Sequence, residues 1–204
     1  MKENLPQTPR KTGRPLSFDR ALALDAAMRV FWSRGYEAAS ISDLIAAMGI
    51  TPPSLYTAFG DKQRLFLEAV HRYQNRPGLD LHSALDNAPT ARDAVRLVLF
   101  AAAVQQTRSD LPQGCLLMSA AVTSPPANEV HQAIVQLRQS VETSLKARIQ
   151  RGIDEGELPA GSDAAALAGF YLTVIQGMSV QARDGAGRDK LQSVAEAALR
   201  AWPT

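Results

Sequence analysis

Hydrophobic residues recur at every third or fourth position along almost the whole chain after residue 16, a spacing typical of amphipathic helices. No stretch of alternating apolar and polar residues convincing enough to indicate a strand interrupts this pattern. No repeat of solenoid length is present either. The pattern therefore predicts an all-α fold.

The first two predicted helices are delimited by residues that commonly cap helices. Ser17 is a candidate N-cap for the first helix, and Gly35 is its expected end. The expected buried positions of this helix are Ala23, Ala27, Val30 and Phe31. The second helix follows Ser40, which has capping-box spacing to Asp43, and it ends at Gly49. Its apolar face is expected to comprise Ile41, Leu44, Ile45 and Met48.

A third short helix is predicted directly after the second. Thr51 is its N-cap, Pro52 takes the first helical position, and Gly60 ends it. Because Pro53 disfavours the α conformation for Pro52, a start one residue later is an open alternative. Leu55 and Phe59 form an apolar pair one turn apart.

The helices after residue 60 become progressively longer. Asp61 is expected to cap a fourth helix that carries a Glu68–Arg72 ion pair on its outer side. The buried side of this helix is predicted to comprise Leu65, Phe66, Ala69, Val70 and Tyr73. Further helices are expected over residues 92–107, 113–123, 127–151, 162–182 and 188–201. The long one among them has an apolar side comprising Val130, Ile134, Leu137, Val141, Leu145 and Ile149.

The predicted organisation has four parts: a flexible basic arm over 1–16, a helical module over 17–60, a connecting helix over 61–80 and a larger helical domain over 81–204. Composition agrees with folded domains, since 46% of the residues are hydrophobic and 21% are charged. The longest apolar run is eight residues, over 97–104, whereas a membrane span needs about 20. A single cysteine and no apolar leader at the N-terminus indicate a cytoplasmic protein without a membrane association.

Charge is distributed unevenly along the chain. Residues 1–76 contain eleven Lys or Arg against seven Asp or Glu, while 77–204 contain eleven against thirteen. A basic module followed by a slightly acidic one indicates that the first part contacts a polyanion. Enzymatic chemistry has little support, because the three histidines lack metal-ligand spacing and no serine lies in a nucleophile elbow. No cofactor, metal site or catalytic residue is expected.

Two short helices joined by a glycine-containing turn have the form of a helix-turn-helix, whose second helix enters the DNA major groove. With Leu55 and Phe59 packed inward, hydroxyl-bearing Ser54, Tyr56 and Thr57 would point outward toward bases and phosphates. The N–H groups at the start of this second helix, and Lys62 in the next one, would bind phosphate. An ordinary helical hairpin is the open alternative.

The stretches 35–41 (GYEAASI) and 49–62 (GITPPSLYTAFGDK) resemble the DNA-binding domain of the TetR/AcrR family of bacterial regulators, and the similarity covers 18–73. Residues 113–117 and 175–185 are similar to later parts of some members. The resemblance implies DNA contacts by Ser40, Thr51, Pro52, Ser54, Tyr56, Thr57 and Lys62. Thr57 and Ser42 stand where many members have a basic residue, so affinity is expected to depend more on the arm. Its Arg10, Lys11 and Arg14 resemble minor-groove-reading arms, a solvated tail being the alternative.

Two clean apolar stripes near the end of the chain exceed what one copy needs to cover itself. They predict a two-fold four-helix interface of a homodimer, as the family resemblance also implies. The expected interface residues are Leu167, Tyr171, Leu191, Val194, Ala198 and Trp202. The alternative is that both helices close the core of a single chain. A dimer would also place two recognition helices about 34–36 Å apart, as a palindromic operator requires.

A family member would also hold a small-molecule effector in an apolar cavity of the larger domain. The candidate lining residues are Phe100, Val104, Cys115, Met118, His131, Phe170, Val174 and Gln176. Plain core packing is the alternative for each of them, and Cys115 is either a redox trigger or a small buried apolar residue. The predicted function is a DNA-binding transcription regulator, a repressor that leaves its palindromic operator when an effector binds. A helical protein-interaction module without DNA binding is the competing interpretation.

Overall fold

The computed structural model describes residues 18–76, 81–121 and 129–204. Within these ranges every regular element is an α-helix, which confirms the predicted fold class. The helices are α1 Arg20–Ala38, α2 Ile41–Met48, α3 Pro52–Phe59, α4 Lys62–Gln74, α5 Leu81–Asn87, α6 Ala91–Gln106, α7 Leu116–Ala121, α8 Glu129–Asp154, α9 Ala164–Arg183 and α10 Arg188–Leu199.

The first helix begins and ends differently from the sequence prediction. Its N-cap is Asp19, whose carboxylate accepts the N–H groups of Ala21 and Leu22 at 2.8 and 3.0 Å. Ser17, the predicted cap, lies outside the described residues. Gly35 breaks the regular helix with a φ of 79°, but a further helical turn follows and extends α1 to Ala38.

The caps of the next three helices agree with the sequence prediction. The Ser40 and Asp43 side chains form both hydrogen bonds of a capping box at the start of α2. Gly49 ends α2 in the left-handed conformation with a φ of 64°, which favours glycine. Thr51 caps α3, and Pro52 is its first residue, so the alternative start one residue later is wrong.

The predicted Glu68–Arg72 ion pair within α4 is wrong, because α1 packs beside α4 and supplies both partners. Arg20 pairs with Glu68 and also donates to the carbonyl of Ala58 at 3.1 Å. Arg72 donates two hydrogen bonds of 2.9 Å to Asp25. The pairs join α1 to α4 rather than successive turns of one helix. The predicted buried side of α4 is confirmed at all five positions.

Two helices in the larger half depart from the sequence prediction. The helix expected over 113–123 starts only at Leu116, because Gly114 has a φ of 79° and belongs to the preceding turn. The seven-residue α5 was not predicted, since so short a helix has no clear periodicity. On α8 the predicted apolar side is buried at Val130, Ile134, Leu145 and Ile149, while Leu137 and Val141 are half-buried.

The buried residues form two clusters. The first is built from α1 to α4 and includes Leu116 and Leu117 of α7 and Val130 and Ile134 of α8. The second comprises the remaining core of α5, α6, α8, α9 and α10. The N-terminal helices therefore share one core with two elements from the larger half. The division at residues 60 and 80 stays a prediction.

The penultimate helix, α9, is rich in apolar residues. By length and hydropathy alone, α9 is the one helix in the described part of the chain that could cross a membrane. It packs on α6, α8 and α10 and contributes Ala168, Tyr171, Met178 and Ala182 to the second core. These contacts cover one side of α9 and leave Phe170 and Val180 at the surface.

Candidate nucleic-acid interface and interior cavity

Helices α2 and α3 form the helix-turn-helix that the sequence predicts. Gly49, Ile50 and Thr51 are the turn between them. Leu55 and Phe59 of α3 and Leu44 of α2 are buried in the first core. These contacts fix α3 against α1, α2 and α4 and leave its opposite face at the surface.

The hydroxyl groups on the outer face of α3 differ in their exposure and in their hydrogen bonds. Tyr56 is 51% exposed, and Thr57 is also exposed. Ser54 is half-buried, and its Oγ lies 2.9 Å from the hydroxyl of Thr51 in a shared hydrogen bond. Pro52 is exposed and adds an apolar contact surface beside them. Tyr56 and Thr57 are thus the most accessible hydroxyl groups of this helix.

The start of α3 is poorer in phosphate-binding N–H groups than the sequence alone suggests. Pro52 and Pro53 have no N–H, because each is a proline. The N–H of Ser54 donates to Oγ1 of Thr51 at 3.4 Å. The start of α3 therefore offers few free backbone donors to a phosphate, and the phosphate contact predicted there stays a prediction.

Ser40, another expected DNA contact, is used mainly within the protein. Its Oγ donates to Asp43 at 2.7 Å and accepts the N–H of Asp43 at 3.0 Å. Arg34 pairs with the same carboxylate at 2.7 Å. These contacts hold the pKa of the Asp43 carboxyl below its usual value, mainly through the hydrogen bond from Ser40. Ser40 is exposed, so a phosphate can still reach its side chain.

Lys62 has internal partners that the sequence did not predict. Its Nζ donates to the carbonyl of Glu37 at 3.3 Å and lies 4.5 Å from the centre of the Tyr36 ring. Partial burial lowers the pKa of Lys62. The ammonium group is therefore held in a fixed position near the end of α1, where the chain turns toward α2.

The described residues before the cavity-lining domain carry little excess charge. Residues 18–76 contain seven Lys or Arg against six Asp or Glu, whereas residues 1–17 contain four against one. Most of the positive excess of the first 76 residues thus belongs to the arm. Arg10, Lys11 and Arg14 lie outside the described residues, so their role stays a prediction.

A cavity of about 730 Å³ lies between α4, α6, α7, α8 and α9. Its size falls within the range typical of small-molecule sites, roughly 300–1,000 Å³. The apolar part of its wall comprises Ala84, Val98, Ala101, Ala102, Leu117, Met118, Leu137, Val141, Leu172 and Ile175. The remainder of the wall is polar and comprises His71, Tyr73, Gln74, Asn75, Arg76, Gln105, Gln106, Cys115, Arg138, Ser140, Ser144 and Gln176.

Several polar groups in this wall are held in place by hydrogen bonds. The Tyr73 hydroxyl donates to Sγ of Cys115 at 3.4 Å, and burial raises the pKa of Tyr73. The Gln106 amide nitrogen donates to the carbonyl of Ile175 at 3.3 Å. The side-chain carbonyl oxygen of Gln106 is buried without a hydrogen-bond partner among the described residues. The cavity thus has the mixed character of a ligand site: apolar surface with a few fixed polar groups.

Three of the eight predicted effector residues line this cavity, namely Cys115, Met118 and Gln176. The other five do not, because their helices turn them elsewhere. Phe100 and Val174 pack against the second core. Phe170 is 42% exposed on α9, and half-buried Val104 and His131 lie outside the cavity wall.

The polar cavity residues of α4 and α6 were not predicted from the sequence. Arg76 closely follows α4, and Gln106 is the last residue of α6. The adjacent amides of Gln105 and Gln106 at the end of that helix were a signal that could have indicated a buried polar site. No periodicity distinguishes Arg76 from an ordinary surface arginine.

Most of the predicted dimer-interface residues are buried within the chain itself. Tyr171, Leu191, Ala198 and Trp202 belong to the second core and leave little surface for contact with a second copy, so their role in an interface stays a prediction. Leu167 and Val194 are half-buried at its edge. The apolar stripes of α9 and α10 face each other and α6, a packing in which both helices help to close the core of the single chain.

A different face of α9 is apolar and exposed. Phe170 is 42% and Val180 is 53% exposed, and Gly177 lies between them on the surface. Ala197 of α10 and Ala201, just beyond the end of that helix, are exposed as well. We call the group Phe170, Gly177 and Val180 the outer face of α9.

Comparison with known proteins places this architecture among bacterial regulators. Residues 23–69 match a family model described as "Bacterial regulatory proteins, tetR family", and residues 92–200 match one described as "Tetracyclin repressor-like, C-terminal domain". The HTH-type transcriptional repressor ComR of Escherichia coli K12 is 36% identical over 94% of this chain and 92% of its own length. The repressor BdcR of the same strain is 30% identical over 96% and 94%.

Solved structures give the same result. A cysteine mutant of the TetR family transcriptional regulator CifR, determined in complex with 26-base-pair double-stranded operator DNA, is 46% identical and superposes with a TM-score of 0.87. The match covers 93% of this chain and 100% of that one. A TetR regulator from Rhodococcus sp. RHA1 is 37% identical with a TM-score of 0.62, over 91% and 99% of the two chains.

Proposed function

Since this chain belongs to the TetR family and is a DNA-binding transcriptional regulator, we propose that it acts in the cytoplasm as a homodimeric repressor that releases a palindromic operator when an effector binds. The main support for this proposal is that two helices, α4 and α7, line the cavity and also pack against helices of the DNA-binding module. Helix α4 supplies Tyr73 to the cavity, with Arg76 just beyond its end, and packs against α1 and α3. Helix α7 supplies Leu117 and Met118 and packs against α1.

A ligand that changes the cavity would therefore move helices that also support α3. Asp25–Arg72 and Arg20–Glu68 join α4 to α1, so a displacement of α4 is passed to the first helix as well. Effector binding releases DNA only if the effector binds the non-binding conformation more tightly. The coupling of two ligands in such systems is typically about 1–3 kcal/mol.

On the DNA side, we assign different roles to the two exposed hydroxyl residues of α3. Tyr56 would contact the phosphate backbone, and Thr57 would contact base edges. Tyr56→Phe should then weaken binding to operator and unrelated duplexes by a similar factor. Thr57→Val should change the preferred base at one position of each half-site. A competition assay with a randomised operator measures both effects. A change in base preference for Tyr56→Phe, or a uniform loss for Thr57→Val, would contradict these roles.

We propose that the outer face of α9 packs against its copy in the dimer. Exposed Phe170 and Val180 supply the apolar surface, and Gly177 between them allows close approach of two helices. Val180→Glu would place two like charges in a desolvated interface and should produce monomers that bind the operator weakly. Leu97→Glu, which introduces the same charge at an exposed apolar residue of α6, is the matched control. Sedimentation gives the oligomeric state, and a dimeric Val180→Glu protein would exclude this face.

A helical module that binds another protein without binding DNA, the competing interpretation of the sequence, disagrees with the family to which the chain belongs. The two functions differ in salt dependence, because each phosphate contact contributes about 0.9 to the log–log slope of DNA affinity against salt concentration. An operator affinity that does not change with salt would favour the protein-interaction function.

A further inference from the structure

Arg76, in the wall of the cavity, has no acidic partner among the residues that the structure describes. Both of its terminal nitrogens are buried without a hydrogen-bond partner there. The guanidinium group lies 4.7 Å from the centre of the Trp32 ring and 4.9 Å from that of Tyr73. These rings fix its position but accept no hydrogen bond from it along its edge.

The two carboxylates that interact electrostatically with Arg76 are already paired with other arginines, and Asp25 accepts two hydrogen bonds of 2.9 Å from Arg72. Asp110 is paired with Arg108 at 2.7 Å, and its backbone carbonyl accepts a hydrogen bond from Arg29. Burial is the largest cause of the lowered pKa of Arg76, and Arg108 and Arg29 lower it further. This guanidinium is thus partly desolvated, and the carboxylates near it in the described part of the chain are engaged by other arginines. A desolvated charge without a partner is costly, and an anion would relieve that cost.

The charged residues in the cavity wall are cationic. Among the wall residues that the structure describes, two are arginines, Arg76 and Arg138, and none is aspartate or glutamate. The apolar residues of the wall lie mainly on α6, α7, α8 and α9. A ligand with one anionic end and an apolar body would match both parts of the wall. A guanidinium group has the planar fork that binds a carboxylate through two parallel hydrogen bonds.

We propose that the effector is an amphipathic carboxylate whose anionic group binds Arg76 and whose apolar body fills the cavity between α6 and α9. This inference rests on the proposed function only in naming the ligand as the effector; the binding site itself does not depend on DNA release. It also gives a role to an arginine placed just after the end of α4. A carboxylate bound there attaches the ligand to the helix that carries both cavity residues and contacts to α1 and α3.

Calorimetry with the full-length protein tests the proposal, with octanoate as the anionic probe and octanamide as its uncharged analogue. Octanoate should bind at least about tenfold more tightly, since a charge-assisted pair replaces a neutral contact. Arg76→Gln should abolish this preference while octanamide affinity changes little. Arg138→Gln, the same charge change at the other cavity arginine, is the matched control and should retain most of the preference. Far-UV circular dichroism verifies the fold, and Arg76→Lys, which keeps the charge, should show an intermediate preference.

Three results would overturn the proposal. Equal affinities for octanoate and octanamide would exclude anion recognition, and absence of binding by either probe at millimolar concentration would exclude this ligand class. Loss of the preference in Arg138→Gln but not in Arg76→Gln would exclude Arg76 as the anion site. A parallel operator-binding assay separates this proposal from the proposed function. Binding of octanoate that depends on Arg76 but leaves operator affinity unchanged would support the site and contradict effector-controlled release.

Discussion

Gly114 lies where the turn before α7 crosses α9, and replacing it should destabilise the protein more than its conformation alone predicts. Its φ is 79°, in the left-handed region. A Cβ at this position would lie 2.8 Å from the backbone oxygen of Ser179 and 2.8 Å from Cγ of Arg183. The neighbouring Cys115 donates its N–H to Oγ of Ser179 at 2.9 Å, so the turn cannot move away without losing that bond.

The expected cost has two parts. A left-handed conformation costs an alanine about 1–2 kcal/mol relative to glycine. Overpacking against a backbone oxygen adds about 1–3 kcal/mol, because a main-chain atom cannot rotate away as a side chain can. Gly114→Ala should therefore lower the free energy of unfolding by about 2–5 kcal/mol, with the cost rising if Arg183 loses its hydrogen bond to Ser119.

Gly156→Ala is a matched control for this variant. Gly156 has the same φ of 79°, but no other group lies within 4 Å of the position that an added Cβ would take. It should therefore show only the conformational part of the loss, about 1–2 kcal/mol. Equilibrium unfolding in urea, at one fixed protein concentration because dimerisation affects stability, measures both variants. Equal losses of stability for the two variants would show that contact with α9 adds nothing to the cost of a Cβ at Gly114.

Three further predictions concern charges. Arg72 lowers the pKa of Asp25, so this pair stabilises the fold fully above about pH 4 and ceases to do so as the pH falls through the lowered pKa. Arg72→Gln should therefore lower the free energy of unfolding by less than about 1 kcal/mol and reduce its dependence on acid pH, as measured by urea unfolding at several pH values. Glu157→Gln should lower the free energy of unfolding by about 3–5 kcal/mol, because it leaves buried Arg148 without its anion. Arg148→Leu should change that free energy much less, and a greater loss for Arg148→Leu than for Glu157→Gln would contradict this reasoning. Deleting residues 1–15 should reduce the log–log salt slope of operator affinity by up to about 2.7, and an unchanged slope would exclude the arm.

The sequence by itself determined α2 and α3, the two helices of the helix-turn-helix, because local signals specify them. The Ser40–Asp43 capping box, the left-handed Gly49 and the Thr51 cap act within one or two turns of the chain. Such signals predict boundaries without knowledge of the partners of each helix. The family resemblance rests on the same stretch, so function was accessible from it as well.

The tertiary structure decided which partner each apolar or charged side chain has. The stripes of α9 and α10 have the same periodicity whether they face a second copy or their own core, and burial of Tyr171 and Leu191 shows the latter. Arg72 pairs with Asp25, 47 positions away, and no local pattern predicts such a contact. Arg76 becomes a cavity residue only because α4, α6 and α9 converge beside it. Periodicity specifies the face of a helix, but what that face contacts depends on how distant segments pack.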